Sequence, residues 1–478
     1  MKKSLGLLFA GISCCIINFS ANASINLPTP ISFTSQSHPI NPELVDQNDL
    51  SQLEVQFNGS NNPQVLLVLD NAIIKYYDGN SNYKWKTIHS GTGWDGGLHD
   101  AGGGTTKIVS KLKAKFNQGS DPYIVVGEWG GFVDFYNGST WQAISTRNFY
   151  YANVSFLDVK FNGTNLPSVV AGYGQGDGDI NLFNGNSDLS WDKINPKTNW
   201  NSYTLGYTTQ NIFPDQDDTN YPPSMIAYMW PIDTTNPQYI CYYKSSTQAW
   251  QPLVQASAMD HGIGEVYAQF SASNFVMAFS ILPNSSLPVQ AYKIVFYNGS
   301  SWINLLNTST PMTGLFDIQF NGTDNPYVLA STMTSGLAFY NGKTWNKIPN
   351  PEITITKLYT QFNGTNNPYI LAGDNFNVIK FFNGTEWLVL NSGNKNLSQS
   401  PLNGKSSIIR VQFNGSSYPY VVVADIQNDA AFFFNGTKWT AIYQDTTLAK
   451  EHVEEQQAGS EESGTETGNV NEILNDLP

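Results

Sequence analysis

The chain has 478 residues and a net charge of −14, and charged and aromatic residues each make up 13% of it. The charged share is about half that of an average globular domain, so much of the polar surface must come from Asn, Ser, Thr and Gln. The negative charge argues against nucleic acid as a partner, because phosphates demand lysine and arginine.

Residues 1–23 are predicted to be a secretory signal peptide. Lys2 and Lys3 precede an apolar stretch over 5–17, and small residues lead up to a cleavage site after Ala23. The apolar stretch is too short for an ordinary spanning helix, and no later segment has the length of one, so we expect no transmembrane segment. We therefore predict a secreted or periplasmic protein, and the sequence leaves that choice open.

Predicted export makes the cysteine count informative. Only Cys241 remains after cleavage, so no intramolecular disulfide is expected. Cys241 lies in the apolar run "YICYY" and is predicted to be a buried strand residue. Cys14 and Cys15 leave a lipoprotein signal as an alternative, although the leucine usual three places before a lipidated cysteine is missing.

Two segments flank the main body of the chain. Residues 24–50 are rich in Pro, Ser and Asn and form an N-terminal extension, in which "PISFT" at 30–34 is a candidate for an extra strand. Residues 446–478 are predicted to be a disordered acidic tail, since from Glu451 onward there are eight acidic residues and no lysine or arginine. A solubilising role and a recognition or secretion signal are both compatible with such a tail.

A seven-residue phrase recurs between these segments, as in FYNGSTW at 135–141, FFNGTEW at 381–387 and FFNGTKW at 433–439. Alignment on its tryptophan gives eight units averaging about fifty residues. The eight tryptophans are Trp85, Trp141, Trp191, Trp250, Trp302, Trp345, Trp387 and Trp439.

Each unit divides into four short apolar segments separated by turns. Asn-Gly between apolar runs is the strongest short hairpin signal, and it predicts type I′ turns in which both residues take positive φ. Pro368 and Pro419 open second strands, where a missing N–H is tolerated. These second strands are nearly continuous apolar runs, which indicates that both of their faces are covered.

The repeat predicts an all-β fold, a β-propeller of four-stranded antiparallel blades over 51–445. Eight blades are expected, or seven if the degraded fourth or fifth unit is an insertion. The repeated tryptophans are predicted to pack between neighbouring blades, and "PISFT" is the candidate strand for closing the ring.

The FYNGxxW phrase resembles the tryptophan-bearing repeats of tectonin-type propeller lectins and, more broadly, of secreted bacterial propeller proteins. This resemblance implies sugar binding on or between blades. The phrase "KFNGTNLPSVVAG" at 160–172 resembles the FG-GAP or VCBS repeat, which implies a calcium loop of alternating carboxylates. The corresponding positions of unit seven carry no carboxylate, so we expect no metal and no cofactor there: Gln361, Asn363, Thr365, Asn367 and Tyr369.

Function is expected on one face of the ring. The near-identical turns one–two and three–four of each blade share a face, whereas the variable two–three turns and blade connections share the other. Aromatic, acidic and amide side chains in the variable loops of the first blades suit sugar rings and hydroxyls. The predicted ligand-binding residues are Trp94, His99, Asp100, Glu128, Trp129, Tyr173, Asp177, Asp179 and Trp200.

The function that these observations favour is an exported, non-catalytic, lectin-like binding propeller whose partner is a glycan or a cell-surface protein. A protein-interaction scaffold is one alternative, in which the loop tryptophans only anchor long loops. A glycoside hydrolase or lyase on the loop-rich face is the other, because such enzymes need two carboxyl groups at a fixed separation. No catalytic residue is assigned.

Overall fold

The computed structural model describes twenty segments of the chain. They are residues 31–33, 52–68, 73–80, 85–90, 109–117, 120–128, 131–145, 153–174, 180–194, 207–214, 224–231, 238–256, 263–271, 274–281, 293–305, 312–332, 336–374, 378–391, 407–425 and 430–444. Within them the regular structure consists of 33 strands and a short 3₁₀ turn at Ser245–Thr247. No helix in this part of the chain is long and apolar enough to cross a membrane.

The strands form eight blades in chain order, preceded by β1 (Ile31–Phe33). Blade 1 contains β2 (Leu53–Asn58), β3 (Asn61–Val68), β4 (Ile73–Tyr77) and β5 (Trp85–Ser90). Blade 2 contains β6 (Val109–Asn117), β7 (Ser120–Glu128), β8 (Val133–Tyr136) and β9 (Trp141–Ala143). Blade 3 contains β10 (Asn153–Asn162), β11 (Asn165–Gly174), β12 (Ile180–Phe183) and β13 (Trp191–Lys193).

The middle of the chain adds two blades that the sequence marks less clearly. Blade 4 contains β14 (Tyr207–Pro214), β15 (Met225–Pro231), β16 (Gln238–Lys244) and β17 (Ala249–Ala256). Blade 5 contains β18 (Ile263–Ser271), β19 (Asn274–Ile281), β20 (Lys293–Tyr297) and β21 (Trp302–Asn304). Both are complete four-stranded sheets, so the expectation of eight blades is confirmed.

The last three blades are the most regular. Blade 6 contains β22 (Met312–Asn321), β23 (Asp324–Thr332), β24 (Leu337–Asn341) and β25 (Trp345–Ile348). Blade 7 contains β26 (Lys357–Asn363), β27 (Asn366–Gly373), β28 (Ile379–Phe382) and β29 (Trp387–Asn391). Blade 8 contains β30 (Ser407–Asn414), β31 (Ser417–Asp425), β32 (Ala430–Phe434) and β33 (Trp439–Gln444).

The blades form a ring, because their apolar side chains meet between sheets rather than in one central core. Eight clusters of buried residues each join one blade to the next, and the last joins blade 8 to blade 1. The molecule is therefore an eight-bladed β-propeller. We call the face with turns one–two and three–four the turn face, and the opposite one the loop face.

The repeated phrase builds an aromatic pair in every blade. Its second aromatic residue and its tryptophan lie opposite each other on the third and fourth strands, as Phe382 and Trp387 do in blade 7. The ring centroids of these eight pairs are 5.0 to 5.4 Å apart. Such pairs add about 0.5–1.5 kcal/mol beyond the area that they bury.

The tryptophans also link each blade to the preceding one, which confirms the predicted packing between blades. Within the described residues seven indole N–H groups donate to a backbone carbonyl that lies in or directly after the previous blade's outer strand, at 2.5 to 3.3 Å. The acceptors are the carbonyls of Ile442, Ile88, Ile144, Ile194, Leu305, Pro349 and Leu390, for Trp85, Trp141, Trp191, Trp250, Trp345, Trp387 and Trp439 respectively.

A β-bulge makes several of these acceptors accessible. In blades 1, 7 and 8 the residue three places after the tryptophan is the extra residue of a bulge in the outer strand: Ile88, Leu390 and Ile442. Because an extra residue is left unpaired in the ladder, its carbonyl is available to the next blade. The sequence contains a signal for this bond, since all eight tryptophans are followed three places later by Ile or Leu.

The prediction of type I′ turns is wrong. In turns three–four only the glycine has a positive φ, for example +94° at Gly384. The preceding Asn383 instead accepts hydrogen bonds at Oδ1 from the N–H groups of Thr385 and Glu386, at 3.0 and 2.9 Å. In five blades turn one–two has Gly at the first of two loop positions, as in Gly364 with φ +58°, and only that glycine has a positive φ, as in type II′ turns.

The N-terminal segment forms a strand, but it does not close the ring. β1 pairs in parallel with β17, so it becomes a fifth strand on the outer edge of blade 4. Closure is instead achieved by the cluster between blades 8 and 1 and by the bond from Trp85 to the Ile442 carbonyl, at 2.5 Å. Blade 8 already has four consecutive strands of its own, so it needs none from the N-terminus.

Opposite charges reinforce the closing junction near the axis of the ring. Glu54 lies on the inner strand of blade 1, between Arg410 of blade 8 and Lys113 of blade 2. Burial raises the pKa of the Glu54 carboxyl, and the charges of Arg410 and Lys113 oppose that shift. Both blades next to blade 1 therefore stabilise its ionised glutamate.

The junction between blades 4 and 5 lacks the tryptophan bond and provides a control for its strength. The Nε1 atom of Trp302 is buried and has no acceptor among the described residues. Trp302→Phe therefore removes ring area and an unpaired donor, whereas Trp345→Phe removes the same ring area and leaves the Leu305 carbonyl without its donor.

We expect Trp345→Phe to lower the free energy of unfolding by about 1 kcal/mol more than Trp302→Phe does, because a lost buried hydrogen bond costs that much. Urea unfolding followed by circular dichroism measures the difference. Equal losses in the two variants would show that the indole–carbonyl bond does not stabilise the junction.

Candidate functional site

Blade 1 departs from the repeat on the turn face, at its junction with blade 2. Its third strand leads into "YYDG" at 76–79, where the common phrase has FYNG. Tyr76 occupies a ladder position at which five other blades have phenylalanine: Phe135, Phe296, Phe339, Phe381 and Phe433. Asp78 occupies the turn position at which six blades have asparagine: Asn137, Asn184, Asn298, Asn341, Asn383 and Asn435.

The second strand of blade 1 departs in the same place. Gln64 precedes the residue that pairs with the second aromatic of the phrase. At this position four other blades have tyrosines, each packed partly buried against the cluster shared with the following blade: Tyr123, Tyr327, Tyr369 and Tyr420. The shorter glutamine leaves part of that space unfilled.

A polar pocket of about 370 Å³ occupies this space. Its lining comes from both blades and consists of Gln64, Tyr76, Asp78, Asn80, Lys86, Ser120 and Asp121. Tyr76 is buried, at 3% exposure, whereas Asp78, Asn80, Lys86 and Ser120 are exposed at the rim. The volume falls within the range of about 300–1,000 Å³ that is common for small-molecule sites.

Hydrogen bonds hold the inner wall of the pocket in place. Gln64 donates from Nε2 to the Tyr76 hydroxyl at 3.2 Å, so the Oε1 atom of Gln64 is available as an acceptor. Burial, together with the charges of Asp78 and Asp121, raises the pKa of Tyr76 to about 12. Its hydroxyl therefore stays protonated at neutral pH and can donate a hydrogen bond.

Asp121 joins the two blades across the pocket. Its carboxylate pairs with the Lys86 ammonium of blade 1 and accepts the Tyr136 hydroxyl of blade 2 at 3.0 Å. Burial and this bond to Asp121 raise the pKa of Tyr136 above its ordinary value. Asp121 is only 17% exposed, so the ion pair is partly shielded from solvent.

The arrangement offers a ligand alternating donors and acceptors within one concave surface. Lys86, Ser120 and Tyr76 supply donors, and the carboxylates of Asp78 and Asp121 supply acceptors. In the described residues no three His, Cys, Asp or Glu side chains are grouped so as to hold a metal ion. The chemistry suits reversible binding of a compact ligand with several hydroxyl groups.

Most residues of the site predicted on the loop face lie outside the described part of the chain. These are Trp94, His99, Asp100, Trp129, Asp177, Asp179 and Trp200. Glu128 and Tyr173 are described, and each is only 2% exposed. Tyr173 belongs to the apolar cluster between blades 2 and 3, whereas Glu128 lies on the same face of β7 as Ile124 and Val126 of the cluster between blades 1 and 2.

Glu128 is one of three buried titratable side chains at the loop-face end of the junction that holds the pocket. His89 is 8% exposed and contacts Trp141 of blade 2 edge to face, at 5.8 Å between ring centroids. Asp134 is 9% exposed and alternates along β8 with residues that face blade 3, so it faces blade 1. The junction between blades 1 and 2 is therefore polar at both ends.

The turn face was expected to be scaffold, yet it holds this pocket. The signal lies in the repeat itself: YYDG in place of FYNG, Gln64 in place of tyrosine, and Asp121 where four blades have Asn62, Asn274, Asn325 and Asn367. Each change is small in its own blade. Together they matter because the ring brings blades 1 and 2 side by side.

No protein-family model matches the chain, and no curated protein matches it either. Among solved structures the chain is similar to the computationally designed Ika8 protein, with 16% identity, 81% of this chain and 95% of that chain covered, and a TM-score of 0.45. It is also similar to Aleuria aurantia lectin in complex with alpha-methyl-L-fucoside, with 15% identity, 63% and 95% covered, and a TM-score of 0.30. A third similar structure is oligogalacturonate lyase in complex with manganese, with 7% identity, 72% of this chain and 98% of that chain covered, and a TM-score of 0.36. The fucoside and the manganese are ligands of those two proteins.

Proposed function

We propose that this protein is an exported, non-catalytic propeller that binds carbohydrate in the pocket between blades 1 and 2. The observation that carries the proposal is the set of departures from the repeat that meet there. Gln64, Tyr76, Asp78 and Asp121 all differ from the common residue at their position, and all four line one cavity.

The composition of the pocket supports a sugar rather than an apolar ligand. A sugar presents many hydroxyls, and each needs a partner when it leaves water, because an unpaired buried polar group costs about 1–3 kcal/mol. Carboxylates, an amide, a hydroxyl and an ammonium surround the space where the ligand would lie. The Gln64 and Tyr76 side chains are already held by a mutual hydrogen bond, so their rotamers need little further ordering.

The signal peptide predicted over 1–23 places such a protein where free and surface-bound glycans occur. The eight junction clusters give the two blades a rigid relative position, since each blade is packed on both sides. A pocket shared by two blades is then preformed, which reduces the entropy lost on binding.

Filling the pocket tests the proposal. Gln64→Tyr restores the tyrosine found at this position in four blades, so we expect the variant to fold with an unfolding midpoint at or above that of the wild type. Its glycan binding should fall by at least ten-fold on a glycan array and in calorimetry, because the side chain occupies the space of the ligand. Ser168→Tyr, at the equivalent position of blade 3, is the matched control and should bind as the wild type does.

A double variant on the loop face tests whether the ligand binds there instead. We expect a Trp94→Ala, Trp129→Ala double variant to keep the binding that Gln64→Tyr loses. Loss of binding in the double variant alone would instead move the site to the loop face. No binding of any glycan by the folded wild type would contradict the proposal and favour a protein scaffold, and release of sugar fragments would contradict its non-catalytic part.

A further inference from the structure

The pocket carries a carboxylate, that of Asp78, which has no cationic partner among the described residues. Of its two acidic side chains, Asp121 is paired with Lys86. No lysine or arginine among the described residues forms an ion pair with Asp78. With one ammonium and two carboxylates, the pocket has a net charge of −1.

Asp78 retains acceptor capacity toward the cavity. Its Oδ1 atom accepts the backbone N–H of Asn80 at 2.9 Å, and its Oδ2 atom accepts the side-chain amide of the same residue. A carboxylate has about four acceptor positions, so about two are available to a ligand. The residue is exposed at the rim of the pocket.

The turn that holds Asp78 does not require its charge. Blade 3 has a turn of the same length between its aromatic residue and its tryptophan, and there the neutral Asn184 accepts the N–H of Asn186 at 3.0 Å, as Asp78 accepts that of Asn80. In the shorter turns of five other blades an asparagine at this position also accepts backbone N–H groups: Asn137, Asn298, Asn341, Asn383 and Asn435. The turn therefore does not need the negative charge of Asp78.

The wall of the pocket has a negative electrostatic potential. Besides burial, the charges of Asp78 and Asp121 raise the pKa of Tyr76, because they oppose the formation of a further negative charge nearby. The whole chain carries a net charge of −14, which adds a long-range repulsion of anionic ligands. Both the carboxylates of the pocket and the net charge of the chain therefore disfavour uronic acids and sulfated sugars as ligands.

We propose that the ligand of this pocket is an amino sugar with a free ammonium group, held by the Asp78 carboxylate while Lys86, Ser120 and Gln64 bind its hydroxyls. This inference rests on the proposed carbohydrate-binding function and specifies its ligand class. A hydrogen bond between charged groups is about twice as strong as one between neutral groups. Asp78 therefore favours a sugar with an ammonium group over the same sugar with a neutral amide.

Calorimetry with three probes tests this assignment on the full chain: glucosamine oligomers, their N-acetylated counterparts and galacturonate oligomers of equal length. We expect the amine form to bind about three- to five-fold more tightly than the acetylated form, because Asp78 is exposed and its ion pair is screened by solvent, and the galacturonate form to bind more weakly than either. Asp78→Asn should abolish the preference for the amine, so that the amine and acetylated forms bind with equal affinity. The folded state of this variant is checked by its unfolding midpoint, which should be unchanged because Asn184 serves at the same position in the turn of equal length of blade 3.

Asp188→Asn is the matched control. Asp188 is a fully exposed aspartate in the three–four turn of blade 3, outside the pocket, and accepts the Ser190 N–H at 3.1 Å. This variant should keep the wild-type preference for the amine.

The outcomes separate this inference from the proposed function. Equal or tighter binding of the acetylated form overturns the amine assignment while carbohydrate binding stands. A preference that survives in Asp78→Asn overturns the role of that carboxylate. The absence of binding to all three probes and to a glycan array overturns the amino-sugar inference and the proposed function together.

Discussion

One interaction recurs at seven of the eight junctions among the described residues: a hydrogen bond from a tryptophan indole to a carbonyl of the preceding blade. The tryptophan packs on an aromatic residue of its own blade, at 5.0 to 5.4 Å between ring centroids, so its Nε1 atom is directed at the neighbour. A bulge in the neighbouring outer strand presents the acceptor, as at Ile88 and Ile442. One seven-residue phrase thus connects the hairpin, the blade and the ring.

A protein built this way has its core at the junctions, and this affects where a site can form. Each junction is filled by side chains of two blades that are far apart in sequence, so a cavity opens when a bulky residue of one blade is replaced by a shorter one. Gln64 produces such an opening, and polar residues of the next blade line it because blade 2 has Asp121 where other blades have asparagine. The two junctions that flank the pocket keep their apolar clusters and hold its walls in place.

Much of the fold follows from local spacing. The phrase marks the third and fourth strands, the proline marks the second, and the number of tryptophans that end the phrase equals the number of blades. These inferences succeed because, within each blade, every strand pairs with the strand next to it in the chain, so that pairing within a blade does not depend on distant segments. The turn type was wrong because Asn383 satisfies the backbone with its side chain instead of adopting a positive φ. The strand at Ile31–Phe33 was predicted from the sequence, but its partner was not. A three-residue strand pairs with whichever sheet edge is available in the folded ring, here the outer strand of blade 4.

The sequence by itself determined an all-β chain of eight repeated units, the role of the tryptophans and the buried place of Cys241, which is fully buried in β16. Only the tertiary structure decided which residues of different units meet. Tyr76 and Asp121 are 45 residues apart in the chain, yet they share one pocket because the ring turns the third strand of blade 1 toward the second strand of blade 2. Each residue is only a small departure within its own unit, and a binding surface arises from them because closure of the ring fixes the distance and angle between units.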